Sequence, residues 1–138
     1  MQKIIEIEKG RNLNFKASAF TPIVYNRLFP GHDFLKDMDE LKESHDGGDD
    51  GDSSFSMSDY EHFARIAYTF AYQGLAPSPR QTLEQQEFIE QYPSVWDWID
   101  TFNTFSIYEV LPEIIDMWYK NEKTIAKPKN YVPAPPAK

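Results

Sequence analysis

The spacing of apolar residues changes once along this chain, from a period of two to a helical period. Residues 3–8 alternate as a strand does, with Ile5 and Ile7 on one face and Ile4 on the other. Residues 13–20 alternate in the same way, and the glycine-containing stretch KGRN lies between the two runs. The pattern predicts a β-hairpin, which must pack on other elements because two strands alone are only marginally stable.

Beyond residue 20 the apolar residues recur at helical spacing in about six segments. Thr21 is predicted to cap a first helix over residues 22–29, and a second helix is predicted over residues 33–43. Later helices are predicted to open at four capping sites: Ser58 with Glu61, Thr82 with Gln85, Ser94, and Ser106 with Glu109. Gly74 is expected in the C′ position of the third helix. Pro112 lies inside the last pattern, so that helix either bends there or becomes regular only at the proline.

These elements predict a mainly α fold of the α+β type, with an N-terminal β-hairpin followed by a bundle of about six helices. Residues 44–56 are rich in Asp, Gly and Ser and predict a flexible acidic loop. Residues 126–138 include four prolines among the last eleven positions and predict a disordered tail rich in Pro and Lys. Residues 1–125 are then expected to form a single domain.

Composition narrows the class of protein. The 138 residues include no cysteine, which favours a reducing compartment such as the cytoplasm. No window approaches the roughly 18 apolar residues of a membrane span, so no membrane association is expected. The net charge is -8, while residues 1–43 carry seven basic and seven acidic side chains. Nucleic acid is therefore disfavoured as a ligand, because its phosphates are bound mainly by Lys and Arg.

The residues that usually carry chemistry show no catalytic or metal-binding arrangement. His32, His45 and His62 have no partner at the spacing of a nucleophile or a zinc site, and His62 is placed on a polar helix face with Thr69 and Gln73. In the acidic loop, the EF-hand pattern fails because Phe55 stands where the glycine is required. The sequence therefore predicts a protein that is not an enzyme and has no catalytic residues, metal or cofactor.

Aromatic residues are unusually frequent, at 15% of the chain. Trp98 and Phe102 fall on an apolar stripe and are predicted to be core residues, whereas Trp96 lies off that stripe. Aromatic residues near the stripe edges are predicted to bind a partner, because Trp and Tyr are enriched at binding hot spots. These candidates are Trp96, Phe105, Tyr108 and Tyr119. Partial burial against the hairpin or a neighbouring helix remains the alternative for them.

Two stretches carry a resemblance to a known family. NFKASAFTP over residues 14–22, followed by Tyr25, and FSIYEVLPEI over residues 105–114, followed by Trp118, are similar to the tail assembly chaperones of long-tailed phages and prophages of Gram-positive bacteria. The similarity extends over roughly residues 12–43 and 95–125. Between them, only a helix with aromatic residues around positions 60–72 matches.

The resemblance implies a non-enzymatic chaperone that works without ATP. Members of that family bind the helix-rich tape measure protein during tail assembly in the host cytoplasm and recruit tail tube protein, but are absent from the finished virion. A longer form made by programmed frameshifting is common in the family. Self-association is also expected, since covering a long rod favours many copies side by side.

Two other functions compete with the chaperone. An acidic inhibitor or regulator that mimics DNA is the main alternative, supported by the negative charge alone. The neutral first 43 residues weigh against it, because a mimic should spread carboxylates over most of its surface. A small hydrolase is weaker still, since the sequence shows no catalytic site.

Overall fold

The structure, a computed structural model, describes residues 1–46, 56–76, 82–103 and 106–126, with side chains up to residue 120 in the last range. Most of the predicted acidic loop, the predicted tail after Ala126 and the candidate Phe105 lie outside these residues. The predicted fold class is confirmed, because a two-stranded hairpin precedes six helices. The elements are β1 (Gln2–Glu8), β2 (Arg11–Lys16), α1 (Thr21–Leu28), α2 (Phe34–Asp46), α3 (Met57–Gln73), α4 (Leu83–Gln91), α5 (Val95–Ile99) and α6 (Ser106–Ala126).

The hairpin pairs β1 and β2 in antiparallel register, with Gln2 opposite Lys16 and Ile5 opposite Leu13. Gly10 adopts φ +82°, which glycine accepts readily and which makes the tight turn possible. The inner face buries Ile5, Ile7 and Phe15. The second strand ends at Lys16 and not at residue 20 as predicted, because the chain turns there to enter α1.

The prediction that Thr21 caps α1 is wrong. Phe20 is the N-cap residue and makes no side-chain cap, while Thr21 is the first helical residue and is fully buried. Its hydroxyl accepts from the Ser18 backbone N–H at 2.9 Å and donates to Gln73 Oε1 at 2.5 Å. A buried hydroxyl needs protein partners, so Thr21 joins the turn before α1 to α3.

The other predicted helix starts have mixed outcomes. The capping box of α3 is formed by Ser56 with Asp59, so the predicted pair of Ser58 with Glu61 is wrong. The capping box of Thr82 with Gln85 and the cap by Ser94 are confirmed. Ser106 is the first residue of α6 rather than a residue before it, and α6 continues as one helix through Pro112. Helix α2 runs three residues beyond its predicted end, to Asp46.

Helix α3 is the centre of the fold and packs on β2, α1, α2, α4, α5 and α6. Three residues of the predicted polar face of α3, His62, Thr69 and Gln73, are therefore buried, although a polar face would ordinarily be exposed to solvent. Helices α1 and α2 cover that face. A helix this enclosed can keep polar side chains only if each is hydrogen-bonded.

Aromatic rings fill the core on both sides of α3. Phe34 packs edge-on against Trp118, with ring centroids 4.7 Å apart. Trp98 lies edge-on against Phe102 at 4.8 Å and against Tyr68 at 5.7 Å. The predicted core position of Trp98 is confirmed, with 1% of the residue exposed, while Phe102 is partly buried at its edge. In the described part of the chain no helix combines the length and apolarity that a membrane crossing requires.

The residue at the end of α3, Gly74, must be a glycine for a steric reason. It is the C-cap residue of α3, with a right-handed φ of -64° and ψ of -13°, so the predicted C′ position is wrong. A β-carbon at this position would lie 1.9 Å from the backbone oxygen of Asn14 in β2. The Asn14 side-chain amide donates to the Gly74 carbonyl at 2.9 Å. Glycine thus allows the hairpin to approach the end of α3 closely.

We expect the substitution Gly74→Ala to destabilise the protein by about 1–3 kcal/mol, because the added methyl group must push β2 away from α3. Backbone entropy alone would give the opposite sign, a stabilisation of about 0.4–1 kcal/mol at a right-handed position. Urea unfolding followed by tryptophan fluorescence measures the difference. A stabilised variant would show that β2 does not lie this close to Gly74.

Candidate functional site

The described surface carries one cluster of exposed aromatic and apolar side chains drawn from three helices. This aromatic patch consists of Met57 and Tyr60 at the start of α3, Trp96 in α5 and Tyr108 in α6. Met57, Trp96 and Tyr108 are 72%, 44% and 62% exposed. The rings of Tyr60 and Trp96 lie 6.2 Å apart with an interplanar angle of 32°. Large apolar side chains grouped in this way mark a surface for binding other molecules.

Tyr108 lies near Tyr60, close enough for the two phenols to interact electrostatically. Partial burial, and secondarily the neighbouring Tyr108, raise the pKa of the Tyr60 phenol. Met57, Tyr60, Glu61 and Trp96 also line a shallow groove of about 300 Å³. Among the described residues Glu61 has no ion-pair partner. The groove therefore combines aromatic walls with one carboxylate.

Local helix geometry directs these side chains outward. Ser94 caps α5 by accepting from the Trp96 backbone N–H at 3.1 Å, which fixes where this short helix begins. Val95, Trp98 and Ile99 face the core, and Trp96 lies at the side of this buried stripe, where its side chain is partly exposed. In α6, the burial of Ile107 and Val110 leaves Tyr108 on the outer surface in the same way.

The structure brings together two of the four predicted partner-binding residues, Trp96 and Tyr108. Tyr119 lies elsewhere and is half-buried, with its hydroxyl donating to Asp39 Oδ1 at 2.7 Å and the Lys42 ammonium 5.3 Å from its ring centroid. It lines a different groove, of about 510 Å³, between α2 and α6. The position of Phe105 lies outside the described residues.

Two residues of the patch, Met57 and Tyr60, were not among the sequence candidates. Tyr60 belongs to the apolar stripe of α3, and the stripe pattern alone predicts a core position for it. The signal that identifies Met57 is the capping box of Ser56 with Asp59, since it places Met57 in the first helical turn. The first turn of a helix that follows a long polar segment is a common position for an exposed side chain.

A second cluster, of polar side chains, lies between α1, α2 and α3 and is mostly buried, with Glu40 exposed at its edge. The Tyr25 hydroxyl donates to Asp37 Oδ2 at 2.7 Å and accepts from Arg65 Nε at 3.1 Å. His62 Nε2 lies 2.9 Å from Glu40 Oε1, and its Nδ1 lies 3.2 Å from Arg65 Nη2. Burial, and then the hydrogen bond to Asp37, raise the pKa of Tyr25 well above its usual value.

Asp37, Glu40 and His62 lie close enough to share a metal ion, since one ligand atom from each falls within 4.8 Å of the others. The geometry gives these atoms other partners. With its proton on Nε2, His62 donates to Glu40 while Nδ1 accepts from Arg65. The Arg65 guanidinium also lies 3.7 Å from Asp37 and supplies the positive charge that a metal would bring. We interpret this polar cluster as structural.

No protein-family model matches this chain, and neither the curated proteins nor the solved structures give a match. The aromatic patch offers ring faces and an exposed methionine side chain. Its members include no serine, cysteine or histidine, and Glu61 is the one charged residue that lines its groove. Aromatic faces with a nearby carboxylate suit an apolar helix or strand that also carries a basic group.

We expect the substitution Asp37→Ala to destabilise the protein by about 3–5 kcal/mol, because it leaves the Arg65 guanidinium and the Tyr25 hydroxyl without their buried partner. The control is Asp116→Ala, which removes a carboxylate paired with Lys120 on the surface of α6 and should cost about 0–1 kcal/mol. Urea unfolding of both variants gives the comparison. Equal losses would contradict a structural role for the buried cluster.

Proposed function

We propose that this protein is a tail assembly chaperone that binds and solubilises a phage tape measure protein. The observation that supports the proposal most directly is the aromatic patch, where Trp96, Tyr60 and Tyr108 present aromatic side chains from three helices. The resemblance of residues 14–22 and 105–114 to tail assembly chaperones supports it independently. The second of these stretches contains Tyr108, so one patch residue lies inside the resemblance.

The physical problem posed by a tape measure protein is exposed apolar surface. Long amphipathic helices aggregate unless their apolar faces are covered before assembly. A binding protein for them needs aromatic side chains to cover those faces and charge to keep the complex in solution. The aromatic patch meets the first need, and the net charge of -8 meets the second.

The patch is held in place before any partner arrives. Trp96 packs against Tyr60, and the Ser94 cap fixes the backbone on which it is carried. A side chain fixed in this way loses less conformational entropy on binding than a mobile one. Trp96 is therefore proposed as the main anchor, with Tyr108 as the second.

The wider role follows the resemblance and belongs to the same proposal. The protein acts in the cytoplasm of the host bacterium, helps recruit tail tube protein, and leaves before the virion is complete. A longer form made by frameshifting supplies the contact to tail tube protein. Several copies associate along one tape measure molecule.

We expect Trp96→Ala and Tyr108→Ala to reduce co-purification with the tape measure protein encoded downstream by about tenfold or more, with less than about 1 kcal/mol lost in stability. The matched control is Trp98→Ala, which removes a buried tryptophan two residues away and should destabilise the fold by about 3–5 kcal/mol. Co-expression followed by affinity capture measures binding, and thermal unfolding measures stability.

The chaperone proposal is overturned if the tape measure protein is equally soluble with and without this chain. Unchanged capture by the Trp96 and Tyr108 variants would contradict the assignment of the patch while leaving the chaperone in place. Competition with DNA for a nuclease or a repressor would instead identify an acidic mimic.

A further inference from the structure

Strand β1 has an outer edge whose backbone groups are not paired with another strand in the described chain. Met1 and Ala17 exchange both backbone hydrogen bonds, at 2.7 and 2.8 Å. Pairs that exchange bonds alternate along an antiparallel ladder with pairs that do not. In this register Lys3 and Ile5 therefore bond to β2, whereas Gln2, Ile4 and Glu6 point their N–H and C=O groups away from it.

These outward backbone groups have no hydrogen-bond partner in the parts of the chain that the structure describes. The residues that carry them are exposed, and the Ile4 side chain is 69% exposed on the outer face of the hairpin. The outer edge of β2 is different, because Asn14 and Lys16 contact the end of α3 there. Among the described residues, the β1 edge is therefore the more open of the two to another strand.

A groove runs along the open edge. It has a volume of about 320 Å³ and is lined by four consecutive residues of β1, Lys3 to Glu6, together with Glu109 and Glu113 of α6. Residues from both faces of the strand line it, so it follows the strand edge and not one face. Its charged side chains are one lysine and three glutamates, and one of these glutamates, Glu113, forms an ion pair with the lysine, Lys3. Glu109 has no ion-pair partner in the described ranges.

We propose that this edge binds an extended, basic segment of a partner protein by strand addition. The segment would continue the hairpin as a third strand and would bond to the outward backbone groups of Gln2, Ile4 and Glu6. Alternate side chains of an added strand face opposite sides. Lysine or arginine on the inner side would meet Glu109, and apolar residues on the outer side would pack on Ile4.

Two other occupants fit less well. A second copy pairing through β1 would bring two α6 helices together, because α6 packs on β1 while α3 packs on β2. Helix axes need about 8–10 Å of separation, whereas paired strands lie about 4.8 Å apart. The tail of this chain is basic, but prolines at positions 128, 133, 135 and 136 remove the donors that a ladder requires.

The test uses the full chain with synthetic peptides as probes. Ac-KVKVKVK-NH2 should bind and slow the hydrogen exchange of the Ile4 amide, measured by NMR. Ac-EVEVEVE-NH2, with the opposite charge, and Ac-KPKPKPK-NH2, which lacks alternate donors, should not. Ile4→Pro removes one outward N–H without touching the ladder to β2 and should weaken binding about tenfold, whereas Ile4→Val should not.

A second set of variants tests the charge of the groove, and it remains informative even if Ile4→Pro does not fold. Glu109→Lys should weaken binding of the basic peptide by about tenfold or more, while Glu61→Lys, which makes the same charge change at the aromatic patch, should have little effect. The proposal is overturned if the Ile4 amide is not protected, or if both lysine variants weaken binding equally.

This inference goes beyond the chaperone function and does not depend on it. Trp96→Ala should leave peptide binding at the β1 edge unchanged, and Glu109→Lys should leave capture of the tape measure protein unchanged. Failure of the strand addition and failure of the chaperone proposal therefore give different results.

Discussion

Helix α3 is enclosed by six other elements, so each polar side chain that this helix buries needs a hydrogen-bond partner within the protein. The Thr69 hydroxyl donates to the Arg65 carbonyl of the same helix at 2.8 Å. Gln73 accepts from Thr21 and so connects α3 to α1, while His62 and Arg65 connect it to α2 and α1. A buried polar group costs about 1–3 kcal/mol when it loses its partner, so these contacts set where α1 and α2 can lie.

The arrangement of the other elements follows from this enclosure. Gly74 lets β2 reach the end of α3, and the hairpin then gives α6 a surface on which to pack. The aromatic rings around Trp98 and Phe34 fill the space that remains on either side of α3. Residues that face away from these contacts are the ones free to bind other molecules, and Trp96 and Tyr108 are among them.

The sequence predicts the elements better than it predicts their surroundings. Apolar spacing identifies the hairpin and the helices, because each element faces a core on at least one side. The same spacing fails for His62 and Gln73, since the polar stripe of an enclosed helix looks like the polar stripe of a surface helix.

Capping residues are ambiguous for a similar reason. Ser56 and Ser58 both begin an acceptable capping box, and the choice between them depends on tertiary contacts. Trp96 and Tyr108 are identifiable as candidates, but their meeting at Tyr60 depends on how α5 and α6 pack.

Pro112 lies inside α6, on the side of the helix that faces solvent. A proline has no backbone N–H, so the carbonyl oxygen of Tyr108, four residues earlier in α6, receives no hydrogen bond from the helix ladder. That oxygen belongs to the same residue whose ring is 62% exposed in the patch. At an exposed residue, water can hydrate an acceptor that the helix leaves without its usual donor, so α6 tolerates on its solvent side a proline that would be costly on its buried side.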